Sequence, residues 1–214
     1  MRLSLALAAT AGIGALAVVQ RDDQWTRQYS VEARELSATG RNPYFILEPG
    51  YQLTLEDGNE RLVITVLAET KIIDGVETRV VEERETKGGA LVEISRNYFA
   101  VSTRTNSVFY FGEDVDIYKN GEITSHEGAW QSGANGAKFG LMMPGLPLLG
   151  ARYYQEVAPK VAMDRAQIVS LTDSLLRVEE TTPLEPGHRE YKQYKRGVGL
   201  VLDGSLKYSS HRPR

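Results

Sequence analysis

From position 51 onward, hydrophobic and polar residues alternate with a period of two over most of the chain. Tyr51, Leu53 and Leu55 alternate with Gln52, Thr54 and Glu56, whereas Leu62, Ile64, Val66 and Ala68 alternate with Val63, Thr65 and Leu67. The first pattern predicts a half-buried strand and the second a strand covered on both faces. Asp57-Gly58-Asn59 between them is hairpin-turn chemistry, because Gly and Asn accept the positive φ such turns require. The same grammar repeats. Ile73-Asp74-Gly75 leads into a strand over 76–86, Gly88-Gly89 into 90–102, Thr105-Asn106-Ser107 into 108–119, and Asn120-Gly121 into 122–131. Such short connections leave no room for parallel crossovers, so the pairing is antiparallel.

Strand texture resumes at 152–157. The stretch 158–176 fits a helical stripe through Val161, Arg165, Ile168 and Leu171, but 167–171 and 175–182 also fit strands, which is the reading adopted because the neighbours are strands. A turn at 183–187 precedes a closing hairpin of 189–195 and 198–208 around Arg196-Gly197. Tyr191 and Tyr194 with Lys192, Lys195 and Arg196 read as an amphipathic edge strand, where Lys also discourages edge-to-edge association. The fold expected is all-β: a single domain with a strongly curved antiparallel meander or barrel-like sheet of about ten strands.

One segment breaks the alternation. Between 132 and 150, five glycines, Pro144 and Pro147 bracket the apolar run Phe139, Leu141, Met142, Met143, Leu146, Leu148 and Leu149. It is predicted to be a long loop with an apolar middle, of the kind that covers a binding site or plugs the end of a sheet.

The N-terminus has a different character. Arg2 is followed by an apolar run over 3–19 and then by Gln20-Arg21-Asp22-Asp23. A positive start, an apolar middle and the small residues Ala15 and Ala17 predict a signal peptide cleaved after Ala17, hence export to a periplasm or the outside. An uncleaved anchor helix is the competing reading. Residues 18–41 read as a flexible leader able to drape over the domain, 42–208 as the β domain, and 209–214 as a solvated basic tail. No second long apolar run follows, so no stable membrane span is expected after cleavage.

Composition narrows the classes further. The chain has 25 Lys plus Arg against 28 Asp plus Glu, a net charge of −3, and no Cys. A weakly acidic balance offers no electrostatic case for a nucleic-acid partner. Without Cys there is no disulfide, thiolate zinc site, thiol nucleophile or lipid anchor on an N-terminal Cys. Gly-x-Ser-x-Gly, His-Glu-x-x-His, phosphate-loop and dinucleotide signatures are absent, and nothing calls for a cofactor.

A set of motifs resembles a group of exported bacterial β-rich proteins of unknown function. Its residues are Asn42-Pro43-Tyr44-Phe45 with Leu47 and Pro49-Gly50, Phe109-Tyr110-Phe111-Gly112-Glu113-Asp114, the 118–121 hairpin, Trp130, Gly136-Ala137-Lys138, Met143-Pro144, Tyr154-Gln155-Glu156, Ala158-Pro159, Leu184-Glu185-Pro186-Gly187 and Gly197-Val198-Gly199. The similarity spans 42–202. It implies export and a β-rich domain and transfers no catalytic residue. Such proteins carry a longer segment where this chain has only 173–177, which leaves the pairing around 171–178 open.

Three constellations carry possible chemistry. Glu113, Asp114, Asp116 and Glu122 flank the Asn120-Gly121 hairpin; Asp114, Asp116 and Glu122 are oxygen ligands suited to calcium, but alternation makes a solvated strand face the simpler account. His126-Glu127 has no second His at metal-binding spacing. Trp130, Lys138, Met142, Met143, Tyr154 and Arg165, around the glycine-rich segment, offer the aromatic walls and directed polar groups of a small-molecule pocket. An inward Glu156 needs a partner, and Arg165 or Lys138 is the expected one. Three functions fit: binding of a small apolar or amphipathic ligand under the 132–150 loop; a hydrolase or lyase using Glu156 with Asp164 or His126; or an envelope-interaction protein without a pocket.

Overall fold

The computed structural model describes residues 24–213; the expected signal peptide and its cleavage site lie outside them. Following a 3-10 turn at Ala33–Glu35, the strands are β1 (Leu36–Ser37), β2 (Gly40–Asn42), β3 (Phe45–Leu47), β4 (Gln52–Asp57), β5 (Glu60–Ile73), β6 (Val76–Lys87), β7 (Ala90–Ser102), β8 (Val108–Lys119) and β9 (Glu122–Ser125). They continue with β10 (Trp130–Gln131), β11 (Lys138–Met143), β12 (Arg152–Tyr154), β13 (Glu156–Val157), β14 (Arg165–Leu171), β15 (Leu175–Thr181), β16 (Glu190–Lys195), β17 (Gly199–Asp203) and β18 (Leu206–Arg212). Among the described residues no helix is long and apolar enough to cross a membrane.

The protein is all-β, with one antiparallel sheet nearly closed into a barrel. Its strand order is β12-β14-β15-β16-β17-β18-β4-β5-β6-β7-β8-β11-β13. Because β12 and β13 are consecutive pieces of one segment, β11 pairing with β13 and β14 pairing with β12 bring the two ends of the sheet together. That approach depends on Gly140, where a Cβ would stand 2.2 Å from the Gln155 carbonyl oxygen.

Alternation then sorts side chains between two cores. Leu53, Leu55, Leu62, Val66, Val81, Phe99, Ile168, Val178 and Tyr194 fill the barrel. Ile73, Val80, Tyr98, Ala100, Phe109 and Phe111 face outward into a second core covered by Tyr29, Val31, Leu36 and Phe139. The expected flexible leader is therefore docked over 24–41. Trp25 and Ala38 are buried, β1 pairs with β7, and the buried Arg79 guanidinium donates to the Ala38 carbonyl (2.8 Å) and Thr39 Oγ1 (2.8 Å). Apolar surface left on the outside of β6, β7 and β8 supplies the reason, since covering it is favourable.

Three further expectations change. Residues 138–143 are not loop but strand β11 in the barrel wall, bonded to β8 and β13; 132–137 and 144–150 remain irregular. The expected strand over 198–208 is two strands turning at Gly204, and the basic tail belongs to β18, which pairs with β4 through Arg212↔Gln52. The open region near 171–178 forms the tight β14–β15 hairpin, closed by the Thr172 N–H bonding the Leu175 carbonyl at 2.8 Å.

The β2–β3 hairpin carries Asn42-Pro43-Tyr44-Phe45 and stoppers one end of the barrel. Buried Asn42 donates through Nδ2 to the carbonyls of Asn106 (2.8 Å) and Pro144 (3.0 Å), and its Oδ1 accepts the Tyr44 N–H at 2.8 Å. Phe45 meets Phe99 edge-on at 4.9 Å. Asn42→Ala would leave two carbonyls and one N–H unpaired, so a loss of about 2–3 kcal/mol is expected. Asn42→Asp, which keeps the acceptor but cannot donate, should be no better. Thermal unfolding of the two variants tests this, and an Asp variant as stable as the parent contradicts the assignment.

Candidate functional site

The barrel interior is not uniformly apolar. Next to the β2–β3 stopper lies an apolar compartment of about 70 Å³ whose wall includes Tyr44, Tyr51, Leu53, Val81, Tyr194 and Leu200. It adjoins a polar compartment of about 180 Å³. Glu83, Phe99, Met142 and Lys192 belong to both walls, which places the two compartments side by side. Both are smaller than the roughly 300 Å³ at which drug-sized pockets begin, which suits a slender occupant.

Carboxylates converge on the polar compartment from separate strands. β6 contributes Glu83, β7 Glu93, β8 Glu113, β13 Glu156 and β15 Glu180, and Asp164 stands just before β14; Lys192 on β16 is the one basic residue in the wall. Two backbone irregularities aim them. A bulge at Gly112 (φ 124°), where a Cβ would lie 2.2 Å from the Trp130 carbonyl oxygen, puts both Tyr110 and Glu113 inside although they are three apart. A break at Gln155 between β12 and β13 lets Gln155 and Glu156 both reach the space.

The electrostatics follow from this geometry. Glu83 and Glu156 are half-buried and line the cavity, and burial disfavours their charged forms. Burial, helped by Asp203 and Glu113 and opposed by Lys192, pushes Glu83 up to about 8. Burial together with Glu93 takes Glu113 to about 7. Glu156 is raised well above the ordinary carboxyl range by burial and then by Asp164 and Glu113. Glu93 is raised by burial, and Asp164 by burial and Glu180. Lys192 is pulled down by burial, but Glu180 and Asp203 outweigh this and hold it charged. Its Nζ lies 3.1 Å from Glu180 Oε2 and 3.7 Å from Asp203 Oδ1. Glu180 also accepts from Gln155 Nε2 at 2.9 Å.

The residues singled out from sequence divide sharply. Glu156, Asp164 and Met142 line the polar compartment. Met143 is fully buried core, and Trp130 packs edge-on against Tyr110 at 5.4 Å. Tyr154 meets Trp25 edge-on, and Arg165 lies over the same Trp25 ring at 4.5 Å, so this pair joins the N-terminal segment to the barrel. Lys138 is exposed. The cation sharing the cavity with Glu156 is Lys192 rather than the expected Arg165 or Lys138. His126 sits on the exterior, Nδ1 3.0 Å from Asp116 Oδ1, apart from Glu156. Asp114 is held below its ordinary range because Tyr98, Lys71 and Gln131 hydrogen-bond it strongly enough to overcome burial. Glu122 is exposed. No group of three or more His, Asp or Glu side chains among the described residues is arranged to hold a metal ion.

Sequence reasoning missed Lys192, Glu83, Glu93 and Glu180. β16 is not an edge strand: it lies between β15 and β17, with Lys192 turned inward. A basic residue alternating with tyrosines was the one available signal. Comparison with protein-family models, with curated proteins and with solved structures finds no match for this chain.

Proposed function

We propose that this is an exported binding protein whose barrel takes up a small amphipathic ligand, with the apolar part beside Tyr51, Leu53 and Tyr194 and the polar part among the carboxylates. One observation carries this reading: an apolar compartment and a polar compartment share a wall at Glu83, Phe99, Met142 and Lys192. An interior built only for stability would be filled by side chains, since close packing is what a core gains from. The site lies inside the barrel rather than under the 132–150 segment. Export rests on the apolar run over 3–19.

Titration with an environment-sensitive apolar fluorophore tests the proposal. Saturable one-to-one binding is expected, and Leu200→Trp, which fills the apolar wall, should weaken it by about tenfold or more. Fluorescence that rises linearly without saturating would refute the proposal.

A second reading, carboxylate-based hydrolysis or elimination, is favoured by one fact: Glu156, raised well above the ordinary range by burial, shares the cavity with Asp164, which gives a protonated general acid beside another carboxyl. Binding is preferred because the carboxyl pair accounts for the polar compartment alone, whereas an amphipathic ligand accounts for the apolar compartment beside it as well.

A further inference from the structure

We infer that the occupant of the barrel carries a cationic, hydrogen-bond-donating head of the primary-ammonium type, received by Glu83, Glu113 and Glu156 while its apolar portion lies toward Tyr44. This inference rests on the binding reading above and specifies its chemical class.

The charge inventory of the space decides the sign of the head. Six carboxyl side chains face it from five strands and the approach to β14, against Lys192 alone. Lys192 is already committed to Glu180 at 3.1 Å and Asp203 at 3.7 Å. An anionic head would therefore meet surplus carboxyls and a lysine with its partners in place. An ammonium group donates three hydrogen bonds and accepts none, which matches a wall made chiefly of acceptors. A neutral hydroxyl head could donate one bond but would leave the remaining carboxyls as they are.

A second feature lies at the apolar end. Tyr44 has 0% of its surface exposed and lines the apolar compartment, yet its buried hydroxyl has no hydrogen-bond partner. Leaving such a group unpaired costs about 1–3 kcal/mol, so the stopper end of the barrel is not built for stability alone. An interior evolved only to be packed has no reason to gather six carboxyls around a cavity beside an apolar one.

The proton balance makes the inference measurable. The carboxyls that face the space, together with Asp203 in the apolar wall and the nearby Glu85, suppress each other's ionisation, and Lys192 offsets only part of this. Entry of R–NH₃⁺ stabilises a carboxylate, so a carboxylic acid gives up its proton to the buffer. One cation is taken up and up to one proton released per ligand, with no covalent bond made or broken.

Octylamine, octanol and octanoate present the same chain with cationic, neutral and anionic heads, and calorimetric titration of the full chain with each at about pH 7 separates the possibilities. The amine is expected to bind at least about tenfold tighter than the alcohol, with octanoate weakest. Its heat should depend on the buffer's ionisation enthalpy with the sign of proton release. Glu113→Gln combined with Glu156→Gln should erase the preference for amine over alcohol while leaving alcohol binding in place. Alcohol or acid binding as tight as amine, or no proton release by the wild-type protein, overturns the cationic head while leaving amphiphile binding intact. No saturable binding by any of the three defeats the underlying reading as well.

Discussion

The melting temperature is expected to fall by on the order of 10 °C between about pH 5 and pH 8, the reverse of what a surface rich in ordinary carboxylates would show. Glu83 titrates near 8 and Glu113 near 7 in the folded chain, whereas an unfolded Glu titrates near ~4.3. Between these values the folded state holds protons that the unfolded state has released. The associated stability is fully present below the unfolded value and is lost as pH rises through 7 to 8. Glu156, Asp164, Glu93 and Glu85 are shifted in the same direction and add to the trend. With allowance for the cavity-facing surface of these groups, the sum is on the order of 3–5 kcal/mol. Asp114 contributes with the opposite sign, because its depressed value gives stability that disappears only as pH falls below the ordinary Asp range. That lies outside the window. Differential scanning calorimetry across the range measures the slope, and Glu83→Gln should flatten it. A melting temperature that is level or rises toward pH 8 would show that the interior carboxyls are ionised at little penalty.

Lys192→Met should be the most damaging single change in the barrel interior, by about 3–5 kcal/mol near neutral pH. The lysine holds Glu180 and Asp203 together across β15, β16 and β17. Its removal leaves buried carboxylates with no counter-charge, which is more costly than replacing a whole ion pair by apolar groups. The loss should shrink toward about pH 5, where Glu83, Glu113 and Glu156 hold protons and less negative charge is left for the lysine to balance. Chemical denaturation at both pH values distinguishes this from simple cavity formation, since a packing defect would destabilise equally at each. Equal losses would mean that Lys192 contributes through its aliphatic stem alone.

How much of this was legible in the sequence depended on whether alternation and turn chemistry agreed. At Gly58-Asn59, Asp74-Gly75, Gly88-Gly89 and Asn120-Gly121 they did, and the observed hairpins turn at those residues. Asp114 and Asp116 are both on the exterior of β8, paired with Lys71 and with Arg96 and His126, as the solvated-face account of the acidic set expects. The 138–143 stretch was misjudged because the glycines and prolines on either side of it give the segment loop composition. Gly140 serves instead to bring β11 against the Gln155 carbonyl, a tertiary requirement with no local signature. The candidate site was half visible. Glu156 and Asp164 were recognised as carboxyls that need a partner, whereas Glu83 sits in Val80-Val81-Glu82-Glu83-Arg84-Glu85, where charge on both faces reads as solvated.

By itself the sequence determined an antiparallel all-β chain and most of its hairpins, since these depend on side-chain period and on glycine and asparagine at positive φ. Only the tertiary structure decided that the leader covers a second core, that β12 and β13 join the two ends of the sheet, and which charged side chains face inward. Those outcomes depend on contacts between residues far apart in the chain. Lys192 and Glu180 become a buried pair, and Glu83 and Glu156 become proton-holding acids, only when closure of the barrel has removed them from bulk water.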